Sequence, residues 1–246
     1  LAAKHFCHRY RRAFDSDWAL IMDLENYSDL IDKDRLYRRL QDIFQDQDVL
    51  DCLRLFIYNK ICRNGEILQP TRGLVQGVPL IALFANLYLA DLDFKYQRLA
   101  SFYVRVGDDI ALLDKDADKL RHAQIELKGD LEARALTVNP AKLFHGPAKE
   151  EFNFLGYNFS DGKIRLEKSF VRRMESDWKK VLAYKHASDE RKAVLLKRIM
   201  ARPDRNFNAV FNKIVRDKQQ VNDSAQIRAL SESFFRIMTK FFFESY

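Results

Sequence analysis

Two adjacent carboxylates, Asp108 and Asp109, sit in the run Phe102–Leu113, Phe-Tyr-Val-Arg-Val-Gly-Asp-Asp-Ile-Ala-Leu-Leu. Anions this close oppose each other's ionisation unless a cation lies between them. Hard oxygen donors suit Mg²⁺, which keeps phosphate oxygens and waters as its remaining ligands. Gly-Asp is equally ordinary chemistry for a surface turn, so the pair alone leaves both readings open. A third acid is out of place. Trp18-Ala-Leu-Ile-Met-Asp23-Leu24 is an apolar run typical of a buried strand, with a carboxylate near its end. An ionised group there needs a partner, and no Lys or Arg stands beside it in the sequence. A capped loop residue is the plainer alternative.

The elements that must position these acids follow from local pattern. β-branched and aromatic residues flank Gly107, so the Asp108-Asp109 segment reads as a tight hairpin with its carboxylates at the tip. Residues 2–14 read as a basic helix. Residues 33–45 and 47–60 read as two amphipathic helices, and Gly65 as a turn between short extended pieces. Gly73-Leu-Val-Gln76-Gly77-Val-Pro79 leads into a helix from about Leu80 to Gln97, carrying Leu83, Asn86, Leu87 and Ala90 at helical spacing. Gly77 would let a base or ribose approach the backbone closely, although the element also serves as a plain helix entry. Another amphipathic helix covers 116–133, and Leu136–Lys142 is a short strand and turn. Phe152–Phe159 alternates and then turns at Asp161-Gly162 into Lys163–Leu166. From Lys168 onward the pattern is helical.

At 246 residues and 47% hydrophobic content the chain can bury a core in one or two domains. The net charge of +7 is unevenly placed: residues 168–246 hold 18 Lys+Arg against 9 Asp+Glu, whereas residues 1–167 are slightly acidic. A basic helical tail after an acid-bearing region suits a polyanion partner, or is simply a solvated helix surface. Cys7, Cys52 and Cys62 lie far apart, which fits a reducing, cytoplasmic setting and excludes a disulfide framework or a zinc site. No signal peptide and no membrane-spanning run is present. A start at Leu1 suggests a piece of a longer soluble protein, with fused or associated domains.

In order, the chain contains Met22-Asp23-Leu24-Glu25-Asn26-Tyr27-Ser28-Asp29-Leu30-Ile31-Asp32, then Gly73–Asn86 with its Gln-Gly-Val-Pro, then Tyr103-Val-Arg-Val-Gly-Asp-Asp, then Leu136–Lys142, then Phe154-Leu-Gly-Tyr. This succession resembles the palm motifs of reverse transcriptases, especially the bacterial branch around group II intron, retron and CRISPR-associated enzymes. The resemblance implies an α+β fold: a polymerase palm with a small antiparallel sheet backed by helices, then an all-helical thumb. It divides the chain into a remnant of a fingers helix (1–17), a palm (18–167) and a thumb (168–246). Most of the family's fingers region has no counterpart here. Val106-Gly107 replaces the usual Tyr-Ala, and Ile81-Ala82 stand where many relatives have Ser-Pro.

The implied activity is RNA-directed DNA synthesis, with an RNA template, a DNA primer and nucleoside triphosphates as partners and two Mg²⁺ ions, or Mn²⁺ in their place. Asp23, Leu24, Asp108 and Asp109 would hold the metals, so that the partner of Asp23 is a metal ion rather than a side chain. Lys142 matches a lysine that approaches the leaving pyrophosphate. Gln76 and Gly77 would border the nascent base pair, Phe154, Leu155 and Gly156 match a primer grip, and Arg172, Arg173, Lys179 and Lys180 would meet phosphates. The fifth residue after Asp23, where relatives carry a bulky aromatic against the sugar, is Ser28, with Tyr27 before it. Serine there predicts weak discrimination between ribose and deoxyribose, unless a local bulge brings Tyr27 to the sugar. An RNA-templated RNA polymerase shares the metal chemistry, and a non-catalytic nucleic-acid-binding remnant would keep the fold.

Overall fold

The computed structural model describes residues 2–75, 80–172, 176 and 226. The fold is α+β, with two compact units: Ala13–Ala148, and Ala3–Arg12 together with the chain from Lys149 onward. Within the described residues most of the opening helix, Ala3–Arg12, therefore packs in one unit with the strands that follow Lys149. The expected helical tail lies almost wholly outside the described residues; residues 168–172 begin it, with the Val171 N–H on the Glu167 carbonyl.

Helix α1 (Ala2–Ala13) opens the chain and strand β1 (Trp18–Asp23) follows. Next come a helical turn α2 (Tyr27–Leu30), helices α3 (Lys33–Ile43) and α4 (Gln47–Ile57), and a small hairpin of β2 (Ile61–Arg63) and β3 (Glu66–Leu68). Asp32 and Asp46 accept the free N–H groups at the starts of α3 and α4, which is why both helices begin where an Asp precedes an amphipathic run. Helices α5 (Ile81–Tyr88) and α6 (Ala90–Leu99) replace the single helix expected from Leu80 to Gln97. The buried side of α5 is Phe84, Ala85 and Tyr88, and Leu83 is exposed.

Strands β4 (Phe102–Val106) and β5 (Asp109–Asp114), helix α7 (Ala117–Glu132) and strand β6 (Phe144–Pro147) complete this unit. Among the described residues, β1, β4, β5 and β6 form one antiparallel sheet in the order β4-β5-β1-β6. One face carries Leu20, Met22, Ile110 and Leu112 into a core shared with Phe84 of α5, Tyr96 of α6 and Leu120, Ala123 and Leu127 of α7. The opposite face carries Ala19, Ile21, Ala111 and Leu113, which are also buried. Burial on both faces explains why β1 reads as an unbroken apolar run. β6 is an edge strand, where its Gly146 and Pro147 cost little pairing.

In the other unit β7 (Phe152–Phe154), β8 (Tyr157–Ser160) and β9 (Lys163–Leu166) form a three-stranded antiparallel sheet. Phe6 and Tyr10 of α1 pack edge-on or tilted against Phe152, Phe154 and Phe159. The Tyr10 hydroxyl accepts the Gly162 N–H, and burial pushes that phenol up to about 12. At the edge of the sheet the Gln226 amide brackets the Leu166 main chain, accepting its N–H and donating to its carbonyl.

Gly73 is forced by close approach. It has φ 83°, its N–H donates to the Ile31 carbonyl, and a Cβ added there would lie 2.9 Å from the Asp29 carbonyl oxygen. With Lys33 N–H on the Thr71 carbonyl and Leu74 N–H on the Ser28 carbonyl, it laces residues 71–74 along the turn that carries Ser28. Gly73→Ala is expected to destabilise the chain by about 1–3 kcal/mol, read as a lower thermal midpoint. An unchanged midpoint would mean that this lacing contributes nothing.

Candidate active site

The end of β1 and the β4–β5 hairpin bring Asp23 beside the sequence-distant pair Asp108 and Asp109. Asp23 stands directly across from Asp109 in the ladder, so their side chains share the same face of the sheet. Asp108 sits in the two-residue turn closed by the Val106–Asp109 pair, and its carbonyl accepts the Leu24 N–H at 3.1 Å. Gly107 takes φ 64° while Asp108 does not have positive φ, the pattern of a type II′ turn with Gly first. Asp109 is therefore the first residue of a strand, and the tip of the hairpin is Gly107-Asp108.

A fourth group completes the cluster. Residues 137–139 run beside 23–25, with Glu25 N–H on the Thr137 carbonyl and Asn139 N–H on the Asp23 carbonyl. The Asn139 side chain accepts the Ala141 N–H, and Pro140 starts a 3-10 turn through Lys142. This turn delivers the Lys142 ammonium to 2.7 Å from the Asp23 carboxylate. Asp23 thus has a side-chain partner after all, drawn from 119 positions away. The Asp23 side chain is 8% exposed and that of Lys142 60%. The Asp23 hydrogen bond holds the ammonium above its ordinary range against the opposing effect of burial, and Asp109 and Asp108 add to it.

This donor set fits a divalent cation. It offers hard carboxylate oxygens from two adjacent strand ends, and a protein cation already rests against one of them. Among the described residues no three His, Cys, Asp or Glu side chains form a ready-made metal cage. An incoming ion would share Asp23 with Lys142.

Tyr27 and Ser28 follow Asp23 through Asn26, which adopts a left-handed conformation and starts the helical turn α2. Because 27 and 28 lie on a helical turn rather than a strand, their side chains diverge by roughly 100° instead of pointing to opposite faces. Tyr27 is buried, and its hydroxyl donates to the Ala85 carbonyl of α5. It is turned into the core, and no bulge presents it outward. Ser28 is half-buried.

Of the residues expected to form a primer grip, Phe154 is a core residue against Phe6, whereas Leu155 and Gly156 form the β7–β8 turn. Both have positive φ, 52° and 78°, as a type I′ turn requires. Leu155 is a bulky residue in a conformation that costs it about 1–2 kcal/mol. Phe152–Phe159 is therefore two strands, not one alternating run. These residues lie in the second unit, as does Arg172, which is exposed. Gln76, Gly77, Arg173, Lys179 and Lys180 lie outside the described residues.

Arg105 and Asp93 escaped the reading of the sequence. Arg105 Nε and Nη2 donate to the two Asp93 oxygens at 2.8 and 2.6 Å, and Nη1 donates to the Gly107 carbonyl at 3.0 Å. Tyr103 adds its hydroxyl to Asp93. The available signal was an arginine inside Phe-Tyr-Val-Arg-Val, a charge that must find a partner once the strand is packed.

The family model for "Reverse transcriptase (RNA-dependent DNA polymerase)" matches residues 4–159. A search of curated proteins finds no relative of significant similarity. Among solved structures, telomerase from Candida albicans in complex with a TWJ fragment of telomeric RNA matches 98% of this chain and 51% of its own, at 15% identity and TM-score 0.54. Apo telomerase from Candida tropicalis matches 68% of this chain and 35% of its own, at 13% identity and TM-score 0.56. The chain thus spans roughly a third to a half of these neighbours, and at such identities the likeness is one of fold.

Proposed function

Because the chain belongs to the reverse transcriptase (RNA-dependent DNA polymerase) family, we propose that it is the catalytic part of an enzyme that extends a DNA primer on an RNA template. The observation that carries this reading is the convergence of Asp23, Asp108 and Asp109, with Lys142, at adjacent strand ends. RNA bound to the Candida albicans telomerase neighbour supports an RNA template. The wording of the motifs supports the bacterial branch of the family.

Asp23, Asp108 and Asp109, with the Leu24 main chain, would hold Mg²⁺ or Mn²⁺. Bound there, divalent ions lower the pKa of the primer hydroxyl and stabilise charge on the attacking and leaving oxygens. Lys142, kept protonated by its acidic neighbours, brings a positive charge and a proton to the side where pyrophosphate departs. Ser28 borders the sugar, Gln76 and Gly77 the nascent pair, and Arg172, Arg173, Lys179 and Lys180 supply sequence-independent phosphate contacts.

Leu155 and Gly156 hold the primer end. The strained Leu155 presents an apolar side chain there, so Leu155→Asn is expected to raise the thermal midpoint while weakening primer–template binding. Asn tolerates positive φ and gains about 1 kcal/mol. A raised midpoint with unchanged affinity would remove Leu155 from the primer grip.

Primer extension on RNA and DNA templates, with deoxy- and ribonucleotides in separate reactions, tests the whole reading. RNA-templated incorporation of deoxynucleotides is expected. Incorporation of ribonucleotides alone would indicate an RNA polymerase, and binding without extension a non-catalytic remnant.

A further inference from the structure

Helix α5 ends at Tyr88, where the Leu89 N–H closes on Leu87, and two carbonyls of that last turn are engaged by side chains. The Tyr27 hydroxyl donates to Ala85, and Arg105 Nη2 donates to Asn86 at 3.1 Å. The same guanidinium, with its side chain 3% exposed, grips both Asp93 oxygens and donates through Nη1 to the Gly107 carbonyl at 3.0 Å and the Asn86 side-chain oxygen at 3.4 Å. One planar fork therefore joins α5, α6 and the tip of the β4–β5 hairpin.

The Gly107 carbonyl is not an incidental acceptor. It belongs to the peptide between the two central turn residues, and rotation of that peptide is what separates a type II′ turn from type I′. Such a flip would give Asp108 positive φ and redirect its Cα–Cβ bond. A Gly-first turn leaves the flip open, since Gly107 accepts either state and a Cβ there would meet nothing within 4 Å. Repulsion among Asp23, Asp108 and Asp109 also favours letting the tip swing away. Held by Asp93 and Asn86, Arg105 opposes the flip.

We propose that Arg105, oriented by Asp93, is a positioning residue that locks the Gly107–Asp108 peptide so that Asp108 faces the divalent-cation site. This rests on the metal reading above. Lysine cannot replace it, because a single ammonium cannot span Asp93, Asn86 and Gly107 together.

The test is an electron paramagnetic resonance titration of the whole 246-residue chain with Mn²⁺, without nucleic acid, beside thermal melts. Arg105→Lys is expected to weaken Mn²⁺ binding by about tenfold or more, the usual scale for a group that orients a metal ligand. Asp93→Asn keeps a carbonyl oxygen for one guanidinium bond and is expected to fall between it and the wild type; it also serves if Arg105→Lys does not fold. Asp114→Asn is the stability control. That carboxylate, at the far end of β5, holds Ser101, Asp116 and Lys119, so its loss should lower the melting temperature and leave Mn²⁺ affinity unchanged. Arg105 and Asp93 variants that melt early but bind Mn²⁺ as the wild type does would overturn the proposal. Asp108→Ala calibrates the site: if it too binds Mn²⁺ normally, the metal reading itself fails and takes the proposal with it.

Discussion

Asp23→Ala and Asp108→Ala are each expected to lower the single-turnover rate of primer extension by on the order of 10³-fold or more, because each would remove a ligand of the divalent ions that stabilise charge developing in the transition state. Folding should survive both. The Asp23 ion pair is made with a lysine that is 60% exposed, so the bond contributes little, and losing an acid beside Asp109 lessens like-charge repulsion. Melting temperatures are expected to move by no more than about 3 °C. Extension within tenfold of wild type by Asp23→Ala at saturating Mg²⁺ would take Asp23 out of the chemistry.

Sugar selection provides the second large effect. Tyr27 is tied by its hydroxyl to the Ala85 carbonyl and is buried, so in the proposed site Ser28 would be the residue that meets the sugar. Its side chain is small and can itself hydrogen-bond a 2′ hydroxyl. The wild type should therefore use matched ribo- and deoxynucleotides with similar kcat/KM. Ser28→Phe should raise the preference for deoxynucleotides by on the order of 100-fold, the scale reached when a pocket rejects a substrate by shape. Burial pushes the Tyr27 phenol well above its ordinary range, so it stays a neutral donor and the arrangement holds across the working pH range. Strong deoxynucleotide preference in the wild type, unaltered by Phe, would exclude Ser28 from this role.

Several elements were legible because their causes are local. Continuous apolar residues marked β1, amphipathic spacing marked α3, α4 and α7, and Gly65 and Asp161-Gly162 marked two turns, which the structure makes type I′. What stayed hidden has tertiary causes. The break between α5 and α6 follows two carbonyls engaged by Tyr27 and Arg105, one of them far away in the chain. The turn at Leu155 lacks the Asn or Asp that usually signals positive φ. β6, as Phe-His-Gly-Pro, has neither strand composition nor alternation, and is a strand because β1 offers it an edge. The acids of the site were readable as a set, since a carboxylate ending a buried strand demands a partner. Lys142 as that partner was not, because only the fold brings residue 142 beside residue 23.

The central claim is that acids remote in sequence hold divalent ions at one point. Fe²⁺ placed in the site in the presence of ascorbate and peroxide cuts nearby backbone, and mass spectrometry locates the cuts. The account predicts cleavage at two separated places, around Asp23-Leu24 and around Gly107–Asp109, both suppressed by excess Mg²⁺ and both lost in Asp108→Ala. Cleavage at only one of them, cleavage elsewhere, or cuts that Mg²⁺ does not suppress would contradict it.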